Sequence, residues 1–163
     1  RALVLRDLGA CPSPFNSFLL LQGIETLSLR MKKHCENTLA VASYLQGHPK
    51  VKAVNCAMLP ESPYHSLYRK YCPRGCGSVF TIELQGGREE GGRLIDALQL
   101  FQNAANVGDA RSIVTHPATT THSQLSDEQL KAVGISPAVV RLSVGLEDEN
   151  DLIADLEEAL IAV

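Results

Sequence analysis

The sequence has no tryptophan, and aromatic side chains make up only 5% of its 163 residues. Aliphatic side chains must therefore fill the core of the fold. The chain also has no large excess of positive or negative charge, because it contains 15 basic and 18 acidic residues and its net charge is -3. Without a strong basic field the chain has little to hold a phosphate backbone, which excludes nucleic acid as an expected partner.

Long apolar runs are also absent. Runs such as residues 18–21 are far shorter than the roughly 20 residues that a bilayer-spanning helix needs. The first residues show neither a continuous apolar segment nor a small-residue cleavage site, so they do not indicate a signal peptide. We expect no membrane partner and a cytoplasmic location. With 45% apolar residues the chain can build one core, but it is too short for two ordinary domains.

The cysteines form neither a disulfide framework nor a clear metal site. Their number is odd and their positions are scattered, which favours reduced thiols. Cys72 and Cys76 have a spacing that zinc sites use, but no second pair of ligands has a recognised spacing. We predict no bound metal, and a cysteine-based metal or redox domain remains an alternative. The five cysteines are Cys11, Cys35, Cys56, Cys72 and Cys76.

The first predicted element is a long helix over residues 14–46. Ser13 is a suitable N-cap, and Pro14 suits the first helical position because its missing N–H is not needed there. Apolar residues then recur at spacings of three and four, and Gly47 ends the pattern. We expect a bend at Gly23, since glycine is unfavourable inside a helix. The chain begins with Arg1 rather than Met, and we expect it to be cut from a longer protein.

The remaining pattern predicts an α+β domain with about four mostly antiparallel strands and helices against one face of the sheet. The clearest strands alternate apolar and polar residues. The predicted strands are 51–57, 79–84, 103–108 and 139–145. The predicted helices are 64–71, 88–101, 126–132 and a last one from residue 150, and a polar loop covers 109–124.

Arg141 is the most informative single residue. Strand alternation places Val140, Leu142 and Val144 on one face and Arg141 with Ser143 on the other. A guanidinium cannot lose its charge, and its fixed fork of donors matches a carboxylate in bidentate geometry. The pattern alone also permits an exposed or salt-bridged arginine on a half-wet sheet, so both interpretations stay open.

Other sequence signals of catalysis are weak. The loop 115–123 is polar and contains His116 and His122, for which satisfied structural histidines are the simpler interpretation. The glycine pairs lack the context of a dinucleotide-binding turn, and no nucleophile elbow occurs. None of the six lysines lies in an apolar loop that would lower its pKa for Schiff-base chemistry.

Three segments together resemble the Cys/Met-metabolism family of pyridoxal phosphate (PLP)-dependent enzymes. SPFN at 13–16, with FLLLQG at 18–23 and ETLSLRM at 25–31, resembles the helix that begins the family's C-terminal domain. HPATTTH at 116–122 resembles its active-site loop, and RLSVGLED at 141–148 resembles its substrate-carboxylate strand. The resemblance implies the small C-terminal domain of the type I, aspartate-aminotransferase-like fold. Residues 1–163 would be one domain, with a connecting helix at 1–49 and an α+β core at 50–163.

Within this family, NVGD at 106–109 and FNSFLLLQG at 15–23 are most similar to the O-acetylhomoserine sulfhydrylases. This resemblance implies an intact enzyme that displaces acetate from O-acetylhomoserine and adds sulfide to form homocysteine. Cystathionine γ-synthases and methionine γ-lyases of the same family are the alternative. A second alternative is a non-catalytic α+β binding module that is complete as it stands.

The resemblance also implies which residues touch the amino-acid substrate. Arg141 would clamp its α-carboxylate, Asn106 would lie near cofactor and substrate where many related lyases have serine, and Thr121 would lie on the loop near the substrate. The Schiff-base lysine and the other PLP-binding residues of the family belong to a large domain upstream. We therefore expect no catalytic or cofactor-binding residue in this chain. Its expected partners are that large domain and further copies, in a tetramer built from dimers with exposed apolar surface on the long helix.

Overall fold

A computed structural model describes residues 7–163, so the expectation drawn from Arg1 lies outside the described residues. The chain divides into two compact units, Arg1–Arg30 and Met31–Val163. Within the described residues, no helix is long and apolar enough to cross a membrane. The units are described separately below.

The predicted helix over 14–46 is divided into α1 (Pro14–Glu25) and α2 (Leu27–Gln46). Ser13 caps α1 as predicted, accepting the backbone N–H of Asn16 at 3.1 Å. The prediction of a bend at Gly23 is wrong, because the interruption falls at Thr26. Arg30 makes the break favourable, since its side chain donates both to the Thr26 hydroxyl and to the carbonyl of Gly23. In an uninterrupted helix the carbonyl of Gly23 would instead accept the backbone N–H four residues later.

The second unit contains a five-stranded sheet in the order β1-β2-β5-β4-β3. Its antiparallel pairs are β1–β2, β2–β5 and β5–β4, whereas β3 runs parallel to β4. The strands are β1 (Val51–Asn55), β2 (Val79–Leu84), β3 (Gln102–Asn103), β4 (Ile113–Thr115) and β5 (Val139–Ser143). The mostly antiparallel sheet is as predicted, but it has one more strand than expected.

Strand β4 lies inside the segment predicted as a polar loop. All three of its residues are buried, so it shows no alternation by which a strand could be recognised. The strand predicted at 103–108 shrinks to the two residues of β3, because the chain then turns away towards β4. These two corrections concern the edge of the sheet next to Arg141.

The helices of the second unit follow the prediction with shifted ends. They are α3 (His65–Tyr71), α4 (Arg88–Ala97), α5 (Asp127–Ala132) and α6 (Glu149–Ile161), in addition to the greater part of α2. Helix α4 was expected to reach residue 101 but ends at Ala97. The carboxylate of Asp155 accepts the next free N–H groups, those of Gln99, Leu100 and Phe101, at 2.9–3.1 Å.

The core lies on one face of the sheet, as predicted. The buried stripes of three helices meet the alternating apolar residues of the two central strands in a single cluster. Its fully buried members include Leu45 of α2, Leu94 of α4, Leu156 of α6, Ile82 of β2 and Leu142 of β5. Strand alternation therefore turns Arg141 and its cross-strand neighbours Thr81 and Thr115 away from this cluster.

Candidate functional site

Arg141 lies in the middle of β5, between Thr81 on β2 and Thr115 on β4. The residue is partly exposed, and its Nη2 donates to the backbone carbonyl of Asn106 at 2.7 Å. Among residues 7–163, Arg141 forms no ion pair with a carboxylate, so the salt-bridged interpretation is not supported. Its other N–H donors remain able to bind an anion.

Asn106 begins a tight turn within the loop that joins β3 to β4. Its side chain accepts the N–H of Val107 at 2.8 Å and donates to Asp109 at 3.2 Å. Asp109 in turn accepts the backbone N–H of Arg111 at 3.1 Å. That N–H, followed by the Arg111 side chain and the Asn106 amide, lowers the pKa of the Asp109 carboxyl. The turn is thus internally bonded, and it presents its Asn106 carbonyl to the guanidinium.

Thr121 is exposed on the loop between β4 and α5, where its hydroxyl shares a 2.9 Å hydrogen bond with His122. The structure therefore brings Arg141 and Asn106 into direct contact, whereas the hydrogen bond of Thr121 goes to its own neighbour. The substrate-binding role assigned to each of the three remains a prediction.

The loop that carries Thr121 is held at its base by two residues. His116 is fully buried, with Nε2 donating to the carbonyl of Pro137 at 2.7 Å and Nδ1 lying 3.0 Å from the Thr119 hydroxyl. Burial, reinforced by the charge of Arg88, lowers the pKa of His116 and favours its neutral form, although the Pro137 carbonyl acts in the opposite direction. The interpretation of His116 as a satisfied structural histidine is confirmed.

Arg88 is the second anchor, and the sequence pattern indicated only that it begins a helix. Its guanidinium binds Asp127 of α5 at 2.7 Å and donates to the carbonyls of Ala118 and Leu125. One side chain thus ties both ends of the loop to α4. Such a role joins residues about 30 positions apart and has no local signal by which a sequence could reveal it.

The lysines of the chain do not fit the attachment of PLP. Lys32 and Lys33 face Glu36 and Glu149, Lys52 pairs with Glu83 at 2.9 Å, and Lys50 donates to the carbonyl of Val163. Lys70 and Lys131 are exposed on short helices. A lysine that forms a Schiff base is usually desolvated so that its amine can lose a proton. None of the six has that environment, so these lysines do not provide a Schiff-base site for PLP.

Metal binding finds no support in the described part of the chain. Residues 7–163 contain no group of three or more His, Cys, Asp or Glu side chains placed to hold a metal ion. Burial is the main cause that raises the pKa of the Cys56 and Cys76 thiols, so both favour the protonated form.

Residues 1–161 match the family described as Cys/Met metabolism PLP-dependent enzyme. The chain belongs to this family. The family match and the mixed sheet with its helices agree with the predicted α+β fold.

Several similar proteins within the Cys/Met-metabolism family are named as sulfhydrylases or homocysteine synthases. The O-acetyl-L-homoserine sulfhydrylase of Corynebacterium glutamicum is 48% identical over 163 residues, which is 100% of this chain and 37% of that protein. The homocysteine synthase of Schizosaccharomyces pombe is 44% identical over 160 residues, covering 98% of this chain and 37% of its own length. The chain thus spans little more than a third of these relatives.

A solved structure shares the fold. An O-acetylhomoserine (thiol)-lyase of Campylobacter jejuni superposes with a TM-score of 0.86 at 47% sequence identity, covering 98% of this chain and 38% of that chain. That structure carries a pyridoxyl-lysine phosphate adduct. The chain therefore shares its fold closely with part of a PLP-containing protein.

Proposed function

We propose that this chain is the C-terminal domain of a longer PLP-dependent enzyme that makes homocysteine from O-acetyl-L-homoserine and sulfide. The reaction transfers an alkyl group other than methyl. The single observation that supports a role in substrate binding is Arg141, whose partly exposed guanidinium lacks a carboxylate partner among the described residues and donates to the Asn106 carbonyl at 2.7 Å. The identity to named sulfhydrylases supports the choice of reaction.

In this proposal, Arg141 binds the α-carboxylate of the amino-acid substrate. A guanidinium offers five N–H donors in a planar fork, and only its Nη2 is used within the described residues. The Asn106 carbonyl fixes the plane of the fork, so the remaining donors are aligned before the substrate arrives. Thr121 also binds the substrate in this proposal, from the loop that Arg88 and His116 hold in place. Orientation of this kind lowers the entropic cost of the reaction.

The rest of the machinery lies outside this chain in the proposal. PLP, when bound by the upstream large domain, supplies the electron sink for bond breaking at the amino acid. The domain described here orients the substrate, and alone it is inactive. The partners are that large domain and further copies, in a tetramer that is a dimer of dimers, and the location is the cytoplasm.

Replacement of Arg141 tests this role in the full-length protein. Loss of a charged hydrogen-bonded contact costs about 1.5–3 kcal/mol, so Arg141→Ala should raise KM for O-acetylhomoserine about 10- to 100-fold. The PLP content, measured from the cofactor's absorbance, should not change. Arg74→Ala removes an exposed arginine elsewhere and should leave KM as it is.

Three results would contradict the proposal at different points. Loss of PLP from Arg141→Ala with normal substrate binding would contradict the carboxylate role. Formation of cystathionine from cysteine instead of homocysteine from sulfide would identify a γ-synthase. A full-length protein without PLP would favour the non-catalytic module.

A further inference from the structure

The segment that follows β5, residues 144–147, is fastened to helix α2 by two buried side chains. His34 donates from Nδ1 to the carbonyl of Val144 at 2.7 Å. Asn37 donates from its amide to the carbonyls of Gly145 and Glu147 at 3.0 and 2.8 Å. Both side chains are essentially inaccessible to solvent. Because buried carbonyls need partners, these bonds fix the backbone of 144–147 to the core.

The same segment touches the loop that carries Asn106. Gly145 packs so closely that a Cβ built on it would lie 2.5 Å from the Ala110 carbonyl oxygen and from the Arg111 carbonyl carbon. The N–H of Leu146 donates to that same Ala110 carbonyl at 2.9 Å. Only glycine permits such an approach of two backbones.

Glu147 completes the attachment through its carboxylate. One oxygen accepts the backbone N–H of Ser112 at 2.6 Å and the other accepts the Ser112 hydroxyl at 2.9 Å. That hydroxyl also accepts the N–H of Gly145 at 2.7 Å. Ser112 is fully buried. The carboxylate therefore satisfies two donors that would otherwise be buried without partners, which is costly.

We propose that Glu147 is a positioning residue for substrate binding. It holds residues 110–112, which end the loop begun at Ala104, and thereby sets the distance between the Asn106 carbonyl and Arg141. The other end of the loop is held by the N–H of Ala104, which donates to Val114 at 3.2 Å. With one end released, Asn106 no longer fixes the plane of the guanidinium. This inference rests on the proposed carboxylate role of Arg141.

Kinetics of the full-length protein test the inference. Glu147→Ala should raise KM for O-acetylhomoserine about 5- to 10-fold and change kcat less than twofold, with unchanged PLP content. Glu147→Gln should raise KM by a smaller factor than Glu147→Ala. Its oxygen can still accept the Ser112 N–H, but its amide cannot accept the Ser112 hydroxyl proton, so only one of the two buried donors keeps its partner.

A matched set of variants makes the outcome decisive. Ser112→Ala removes one bond of the network and should raise KM about two- to fivefold. Combined with Glu147→Ala it should raise KM by less than the product of the single effects, because both changes break the same network. Glu158→Ala removes an exposed carboxylate of α6 and should change neither constant.

The results separate this inference from the proposed function. An unchanged KM in Glu147→Ala, together with a raised KM in Arg141→Ala, overturns the positioning role alone. An unchanged KM in Arg141→Ala overturns the proposed function itself. If Glu147→Ala does not fold, Ser112→Ala decides, and a wild-type KM in that variant overturns the inference. Equal rises of KM in Glu147→Gln and Glu147→Ala would show that the bond to the Ser112 N–H does not hold the loop, and would overturn the inference.

Discussion

Gly91 of α4 shows how a buried side chain can dictate the residue opposite it. A Cβ built on Gly91 would lie 2.3 Å from Nε2 of His116. The imidazole cannot move aside easily, because both of its nitrogens are hydrogen-bonded within the core. Glycine is therefore required here even though it is unfavourable inside a helix. The neighbouring Gly92 has nothing within 4 Å of its Cβ position.

This contrast gives a prediction with a control in the same helix. Gly91→Ala should lower the free energy of unfolding by about 1–3 kcal/mol, since overpacking displaces His116. Gly92→Ala should raise it by about 0.5–1 kcal/mol through the better helix propensity of alanine. Urea unfolding followed by circular dichroism measures both. Equal effects of the two substitutions would contradict the assigned packing of His116.

At this scale the sequence predicts which way a side chain points but not what it meets. Alternation along β5 was enough to place Arg141 opposite the apolar face of Leu142. Its contact with Asn106 joins residues 35 positions apart and depends on the path of a loop. The bonds of Glu147 to Ser112 depend on the same path, so neither was accessible from local patterns.

Among the elements, strands that bury one face were predicted well. Strands that are short or buried on both faces were not. Strands β2 and β5 each bury one face, so their alternation reveals them. Strand β4 is buried throughout and three residues long, which leaves no periodic signal. The interruption at Thr26 depends on a hydrogen bond from Arg30, four residues later, and the glycine at position 23 was the wrong indicator.

Helix α4 ends where a carboxylate from α6 accepts three consecutive backbone N–H groups. Asp155→Ala should therefore lower the free energy of unfolding by about 1–3 kcal/mol, because donors next to the core lose their acceptor. Glu158→Ala, an exposed acid on the same helix, should stay within about 0.5 kcal/mol of wild type. Thermal and urea unfolding test the difference. Asp155→Ala with wild-type stability would mean that the α4–α6 connection depends on apolar contacts alone.

On the scale of the whole molecule, α1 differs from every other long helix. None of its residues is buried, and Phe15, Leu20 and Ile24 are each more than 60% exposed. Side chains of this kind usually lie in a core, but no other described residue buries these three. Exposed apolar surface of this extent marks interaction sites in soluble proteins. It agrees with the exposed surface expected for a domain that works within a larger assembly.

The proposed division of labour between this chain and an upstream domain makes a prediction about cofactor attachment. When the 163-residue chain is mixed with PLP and reduced with borohydride, we expect no single stoichiometric lysine adduct. Each of the six lysines lies on the surface, and four of them face an acidic side chain or a backbone carbonyl. The full-length protein, treated in parallel, should be labelled on one lysine outside this chain. Peptide mapping by mass spectrometry identifies the site, and one dominant adduct on any of these six lysines would contradict the assignment of the bond-breaking chemistry to the other domain.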